Sequence, residues 1–151
     1  MKYKKFVIDA NLGRLLKYLR FAGFDCVSAN HIGDPAILRI CQKDNRLYLS
    51  RNKTIPLLLK KLGIKIIQSV EYHAQIKEIA QITDFSPENY FTRCIECNNE
   101  LSDQIPDYVQ KPDHVKENSF KFCRHCKKLF WKGTHYQHMC SEIEKALNLP
   151  D

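Results

Sequence analysis

The sequence predicts an α/β protein: a parallel sheet flanked by helices over residues 1–88, then a small four-cysteine module with a C-terminal helix over 89–151. Three observations predict it. Short apolar strands alternate with amphipathic helices through roughly the first eighty residues. Asp84-Phe85-Ser86-Pro87 then interrupts the alternation with turn-forming residues. Beyond it, short β segments and turns surround two Cys-x-x-Cys pairs.

Each element has a local reason. Lys4 to Asp9 reads as a strand through Phe6-Val7-Ile8. Ala10 to Ala22 reads as a helix, because Leu12, Leu15, Leu16 and Leu19 recur at i, i+3, i+4 and i+7, with Gly23 as its terminator. Asp25 to Ser28 is a second strand. Asp34 is the expected N-cap of a helix to about Asp44, with Pro35 at its first position. Arg46 to Ser50 is a third strand. Thr54 is expected to open a helix carrying Leu57, Leu58, Leu59 and Leu62, stopped by Gly63. Ile64 to Ile67 is a fourth strand, and Glu71 to about Thr83 a further helix. A last helix is expected from about Cys140 to Asn148, on Ile143, Ala146 and Leu147. Strands each followed by a helix imply parallel pairing with right-handed crossovers.

The cysteines carry the clearest chemistry. Cys94 and Cys97 form one pair, Cys123 and Cys126 the other, with 25 residues between. A two-residue gap lets both thiolates of a turn face one centre, about 4 Å apart, which suits tetrahedral Zn²⁺ with Zn–S near about 2.3 Å. Four cysteines leave no position for water or substrate, so the expected zinc is structural and any chemistry lies elsewhere. His135 and His138 are spaced poorly for a second metal site. Cys26 and Cys41 read as small buried hydrophobes. Seven cysteines with four in metal spacing argue for a reducing compartment, and no signal-peptide core follows the basic N-terminus, so the sequence reads as cytoplasmic. No apolar run is long enough to span a membrane. Oligomeric state has no signature here.

Charge is uneven. Residues 1–90 carry 15 Lys and Arg against 8 Asp and Glu, whereas residues 91–151 carry 9 of each, so the first half holds the entire net +7. A basic lobe attracts polyanions, with nucleic acid the first candidate, although mildly basic proteins without such a partner are common. Lys121, Arg124, Lys127, Lys128 and Lys132 surround the second cysteine pair, while Glu96, Glu100, Asp103 and Asp107 follow the first. That contrast suggests a basic face on the zinc module, a second grip on nucleic acid.

Open parallel sheets bind ligands outside the carboxyl ends of their strands. There the sequence places Asp9 after the first strand, Asn30, His31 and Asp34 after the second, and Ser50-Arg51-Asn52-Lys53 after the third. Carboxylates gathered on one edge suit a hard divalent cation such as Mg²⁺ or Mn²⁺, able to activate water against a phosphodiester. Arg51 and Lys53 could hold phosphate oxygens. The plain alternatives are an N-cap for Asp34, a helix N-terminus partner for Asp9 and solvated charges for Arg51 and Lys53. Arg14, Lys17 and Arg20, three apart on the first helix, read either as a phosphate track or as a solvated face. No Gly-rich phosphate loop and no G-x-S-x-G is present.

Two stretches resemble a known family. Asp9-Ala10-Asn11-Leu12-Gly13-Arg14-Leu15-Leu16-Lys17-Tyr18-Leu19-Arg20 with Gly23-Phe24-Asp25 is similar to the D-x-x-L-G-x-L-x-x-x-L-R and G-[YF]-D motifs that open the PIN-like ribonuclease domain found at the C-terminus of the Mut-seven exonuclease. Phe91 to Asn98, Phe122 to Cys126, Trp131 and Gly133-Thr134-His135 resemble that family's zinc ribbon. The resemblance implies a PIN-like α/β fold, a zinc ribbon and a metal-dependent RNase. Its acidic positions map to Asp9, Asp34 and the residue after the third strand. There the family reads T-R-D and this chain reads Ser50-Arg51-Asn52. Asn52 removes one negative charge from a site that holds Mg²⁺ largely by carboxylate charge. The sequence thus supports a ribonuclease using Asp9, Asp34 and Asn52, with Arg14, Arg51 and Lys53 on substrate. The rivals are a non-catalytic RNA-binding or RNA-processing accessory with a degenerate site, and a protein–protein scaffold.

Overall fold

A computed structural model describes residues 2–151. Four parallel strands form one sheet in the order β2-β1-β3-β4: β1 (Lys5–Ile8), β2 (Asp25–Ser28), β3 (Leu47–Ser50) and β4 (Ile64–Ile66). The chain steps from β1 to β2 on one side, then crosses back to β3 on the other. That reversal opens a crevice between the carboxyl ends of β1 and β3.

Strand alternation sorts the core into two layers. Phe6, Ile8, Leu47 and Leu49 face α1 (Gly13–Phe21) and α3 (Tyr72–Ala80). Val7 and Tyr48 face α2 (Asp34–Asp44) and the Leu57–Lys61 segment. The C-terminal helix α4 (Thr134–Leu147) joins the first layer, inserting Met139, Ile143 and Ala146 at i, i+4 and i+7. It spans six more residues N-terminally than its apolar periodicity suggests, and its N-cap, Gly133, makes no side-chain capping hydrogen bond.

Other elements depart from expectation for identifiable reasons. The first helix begins as a 3-10 turn over Ala10–Leu12, and Leu12 (φ −117°, ψ 34°) separates it from α1. The leucine-rich stretch after β3 forms only a five-residue 3-10 helix, Leu57–Lys61. Pro56 keeps the residue before it out of helical geometry, and of the four leucines only Leu59 is fully buried, while Leu57 stands 82% exposed. Asp34 is not an N-cap. Gly33 caps α2, and Asp34 is the first helical residue, making no capping hydrogen bond. Glu71 is the N-cap of α3, its carboxylate accepting from the His73 and Ala74 amides.

The cysteine module contains one hairpin, β5 (Phe120–Cys123) against β6 (Lys128–Trp131). Among the described residues no helix is long and apolar enough to cross a membrane.

Candidate active site and metal centre

At the crevice between β1 and β3, Asp9 meets Ser50 and Asn52. The Asp9 amide bonds to the Leu49 carbonyl at 2.9 Å, carrying the β1–β3 pairing one residue past the strand end. Its carboxylate then meets the end of β3. Ser50 Oγ, fully buried, donates to Asp9 Oδ2 at 2.7 Å. The same hydroxyl accepts the Asn52 amide at 3.0 Å, closing a turn that folds residue 52 back over the strand end. Asn52 Nδ2 donates to Asp9 Oδ2 at 3.2 Å, and Asn11 Nδ2 donates to Asn52 Oδ1 at 3.3 Å.

Asp34 enters from the other layer at the first turn of α2, with no hydrogen-bond or ion-pair partner among the described residues. Tyr48 of β3 is buried on the α2 side of the sheet. Burial pushes that phenol up to about 12, and the negative charges of Asp9 and Asp34, with hydrogen bonding toward Asp9, add to it. In the sequence Leu47-Tyr48-Leu49 reads as plain core, although a buried tyrosine also has a hydroxyl to satisfy.

The cations divide. Arg51 is partly buried and its Nε lacks any acceptor; Lys53 is exposed. Arg14 lies 3.6 Å above the Tyr72 ring, which also stacks with Tyr18 at 5.3 Å and neighbours the His73 ring at 4.0 Å. The Tyr72 hydroxyl in turn donates to Glu142 of α4, a buried carboxylate also held by His73 and by Lys145 at 2.9 Å. Hydrogen bonds from Tyr72, Lys145 and His73 hold Glu142 down at about 2. Arg20 belongs neither to a phosphate track nor to a solvated face, for it is 7% exposed.

Arg20 docks the cysteine module. Its Nε donates to the Cys26 carbonyl at 2.9 Å, and Nη1 to the carbonyls of Ile95 and Glu96, each at 3.2 Å, inside the first cysteine turn. Asn98 completes the seam, accepting the Cys26 amide at 2.9 Å and donating to Asp25 at 2.7 Å. Asp25 also takes a two-pronged contact from Arg46, at 2.7 and 3.0 Å. Gly23 (φ +97°) is required here, since a Cβ would lie 2.4 Å from the Asn89 carbonyl.

The two cysteine turns are built alike. The amide four residues after the first cysteine returns to its carbonyl, Asn98 to Cys94 at 2.9 Å and Lys127 to Cys123 at 2.8 Å. Asn98 (φ +74°) and Lys127 (φ +58°) are both left-handed. The four sulfurs fall within 4.8 Å of one another, with Cys94–Cys126 at 3.9 Å and Cys97–Cys123 at 3.5 Å. A tetrahedral ion with metal–sulfur bonds of about 2.3 Å requires edges of about 3.8 Å, so the cluster fits such an ion. Burial works against the Cys97 thiolate, yet amide hydrogen bonding at Asn99 and the neighbouring thiols of Cys123 and Cys126 hold its pKa down at about 6. His135 and His138 are exposed and outside this cluster. Cys26 and Cys41 are buried as expected, and burial pushes the Cys41 thiol up to about 11. Of the basic residues around the second pair, Lys121 is committed to Asp103 at 2.6 Å; Arg124, Lys127, Lys128 and Lys132 are exposed.

A family model described as the Mut7-C RNAse domain matches residues 4–143. No curated protein and no solved structure matches the chain.

Proposed function

The chain belongs to the Mut7-C RNAse domain family, and from that membership we propose that it is a metal-dependent ribonuclease working at the carboxyl edge of its sheet. The observation that supports the reading is the junction of Asp9 with residues 50 and 52 at the switch point, with Asp34 in the first turn of α2. Asp9 keeps its second carboxylate oxygen clear of the Ser50 and Asn52 contacts, and Asp34 keeps both of its own. These donors fit a hard divalent ion, Mg²⁺ or Mn²⁺, with Asn52 Oδ1 as a weak third ligand or water-orienting group. Such an ion, when bound, lowers the pKa of water and offsets charge on a phosphodiester. Ser50 fixes the Asp9 carboxylate. On this reading Arg51 and Lys53 take phosphate oxygens through their guanidinium and ammonium groups, and Arg14, which lies over the Tyr72 ring, does the same.

The cysteine tetrad, on this reading, holds Zn²⁺ in a closed structural site. RNA is the proposed partner.

One observation favours a second reading. Asn52 donates to Asp9 where the family's Asp would share a cation with it. An amide thus performs part of the ion's neutralising work, as in a non-catalytic RNA-binding accessory built on a degenerate site. Purified protein with Mn²⁺ and single-stranded RNA separates the two. Cleavage that disappears in Asp9→Asn and rises in Asn52→Asp supports the nuclease. RNA binding without cleavage, even in Asn52→Asp, supports the accessory.

A further inference from the structure

Tyr108 is the one exposed aromatic ring among the described residues, at 74% exposure. Every other Phe, Tyr and Trp is buried or half-buried. Tyr108 has no aromatic neighbour to pack on, and nothing in the core explains it. The loop presenting it is nevertheless fixed to the hairpin. Ser102 and Phe122 exchange both backbone hydrogen bonds at 2.9 Å. Asp103 pairs with Lys121, and Arg124 reaches Gln104 at 3.4 Å. The Val109 amide bonds the Pro106 carbonyl at 3.0 Å, turning the chain at the tyrosine.

The result is an open groove in which Tyr108, Arg124, Lys127 and Gln104 share the wall with Asp107. Arg124 and Lys127 are exposed and belong to no ion pair among the described residues. Lys127 sits at the left-handed end of the second cysteine turn. An aromatic ring that shares a groove with cations outside any ion pair among the described residues, with an amide on the same wall, is the equipment that single-stranded nucleic acid binds: a base stacks, and neighbouring phosphates meet the cations.

We propose that this groove is a single-stranded RNA subsite, in which one base stacks on Tyr108 while Arg124 and Lys127 hold adjacent phosphates. It rests on the RNA reading above for its substrate class, but not on cleavage. The cations do not dominate. Asp107 offsets one charge, and a zinc-loaded tetrad beside the groove carries a formal −2, since four thiolates outweigh one dication. Stacking therefore carries most of the affinity.

The test is fluorescence anisotropy of a short labelled single-stranded oligoadenylate on the full chain, without added divalent ion and without chelator, so that zinc stays in place. Tyr108→Ala weakens binding by roughly five- to hundredfold, with zinc content and Tm unchanged, and Tyr108→Phe keeps the affinity. Lys127→Ala weakens binding less and lowers the salt slope by about 0.7. Unchanged affinity in Tyr108→Ala overturns the subsite, even if the protein cuts RNA. Equal losses in Tyr108→Phe and Tyr108→Ala also overturn it, since a hydroxyl contact would then be responsible. Failure of the unmodified chain to bind the oligonucleotide overturns it too. Binding that depends on Tyr108 in a protein that never cleaves with Mn²⁺ leaves the subsite standing and removes the nuclease.

Discussion

Asn52 donates its side-chain amide to the same Asp9 oxygen that accepts the Ser50 hydroxyl, at 3.2 and 2.7 Å. Asn52→Asp places two carboxylates in this contact. Their repulsion at such range is about 1 kcal/mol in water-like surroundings, which lowers Tm by about 2–4 °C. Mn²⁺ should recover the loss and bind more tightly than to the parent. Calorimetric titration with Mn²⁺ and a melt with and without it check both. A variant whose melt ignores Mn²⁺ removes position 52 from the metal site.

Ser50 touches neither water nor a proposed ligand, yet it sets the Asp9 rotamer. Ser50→Ala should leave the fold intact and reduce Mn²⁺ affinity or cleavage by about 10–100-fold, the usual cost of losing a group that orients a ligand. Wild-type metal affinity in this variant means that the strand end alone positions Asp9.

Arg20 spans β2 and the first cysteine turn through three carbonyls. Arg20→Ala leaves buried acceptors unpaired and should cost roughly 3 kcal/mol, with zinc lost at lower chelator concentration. Urea unfolding followed alongside zinc release measures the two effects. Destabilisation with unaltered zinc retention separates Arg20 from the module.

Cys94→Ser or Cys123→Ser should release zinc and unfold residues 91–139, because structural zinc contributes roughly 10–16 kcal/mol of apparent binding energy to such modules. Hydrogen exchange of the β5–β6 amides reads this directly. Protection retained without metal contradicts the assignment.

Glu142 supplies a pH dependence whose sign follows from its depressed pKa. Its ordinary value is 4.5, and hydrogen bonds led by Tyr72 hold it at about 2 in the fold. The unfolded chain therefore takes up the proton first as pH falls. The stabilisation is complete above about 4.5 and disappears between there and about 2. Glu142→Gln should be less stable than the parent at neutral pH, with the difference narrowing across that window. Parallel acid-unfolding curves for the two proteins would contradict the hydrogen-bonded carboxylate.

Local signals made much of this molecule readable. β1, β2, β3 and α2 lie close to their expected positions, since strand and helix periodicities reside in neighbouring residues. The cysteine tetrad was readable for the same reason, each pair being confined to one turn. The leucines after β3 misled because helical spacing without a surface to cover does not make a helix, and Pro56 opposes it.

Taken alone, the sequence determined the α/β alternation, the two cysteine turns and the residues available at the strand ends. Tertiary structure decided what those residues do. It took Arg20 out of a basic stripe and buried it against carbonyls 75 and 76 residues away, joined Tyr72 to Glu142 across 70 residues, and set Asn52 against Asp9. Periodicity and spacing report on near neighbours in the chain. Contacts made when distant segments bury each other's polar groups leave no such local pattern.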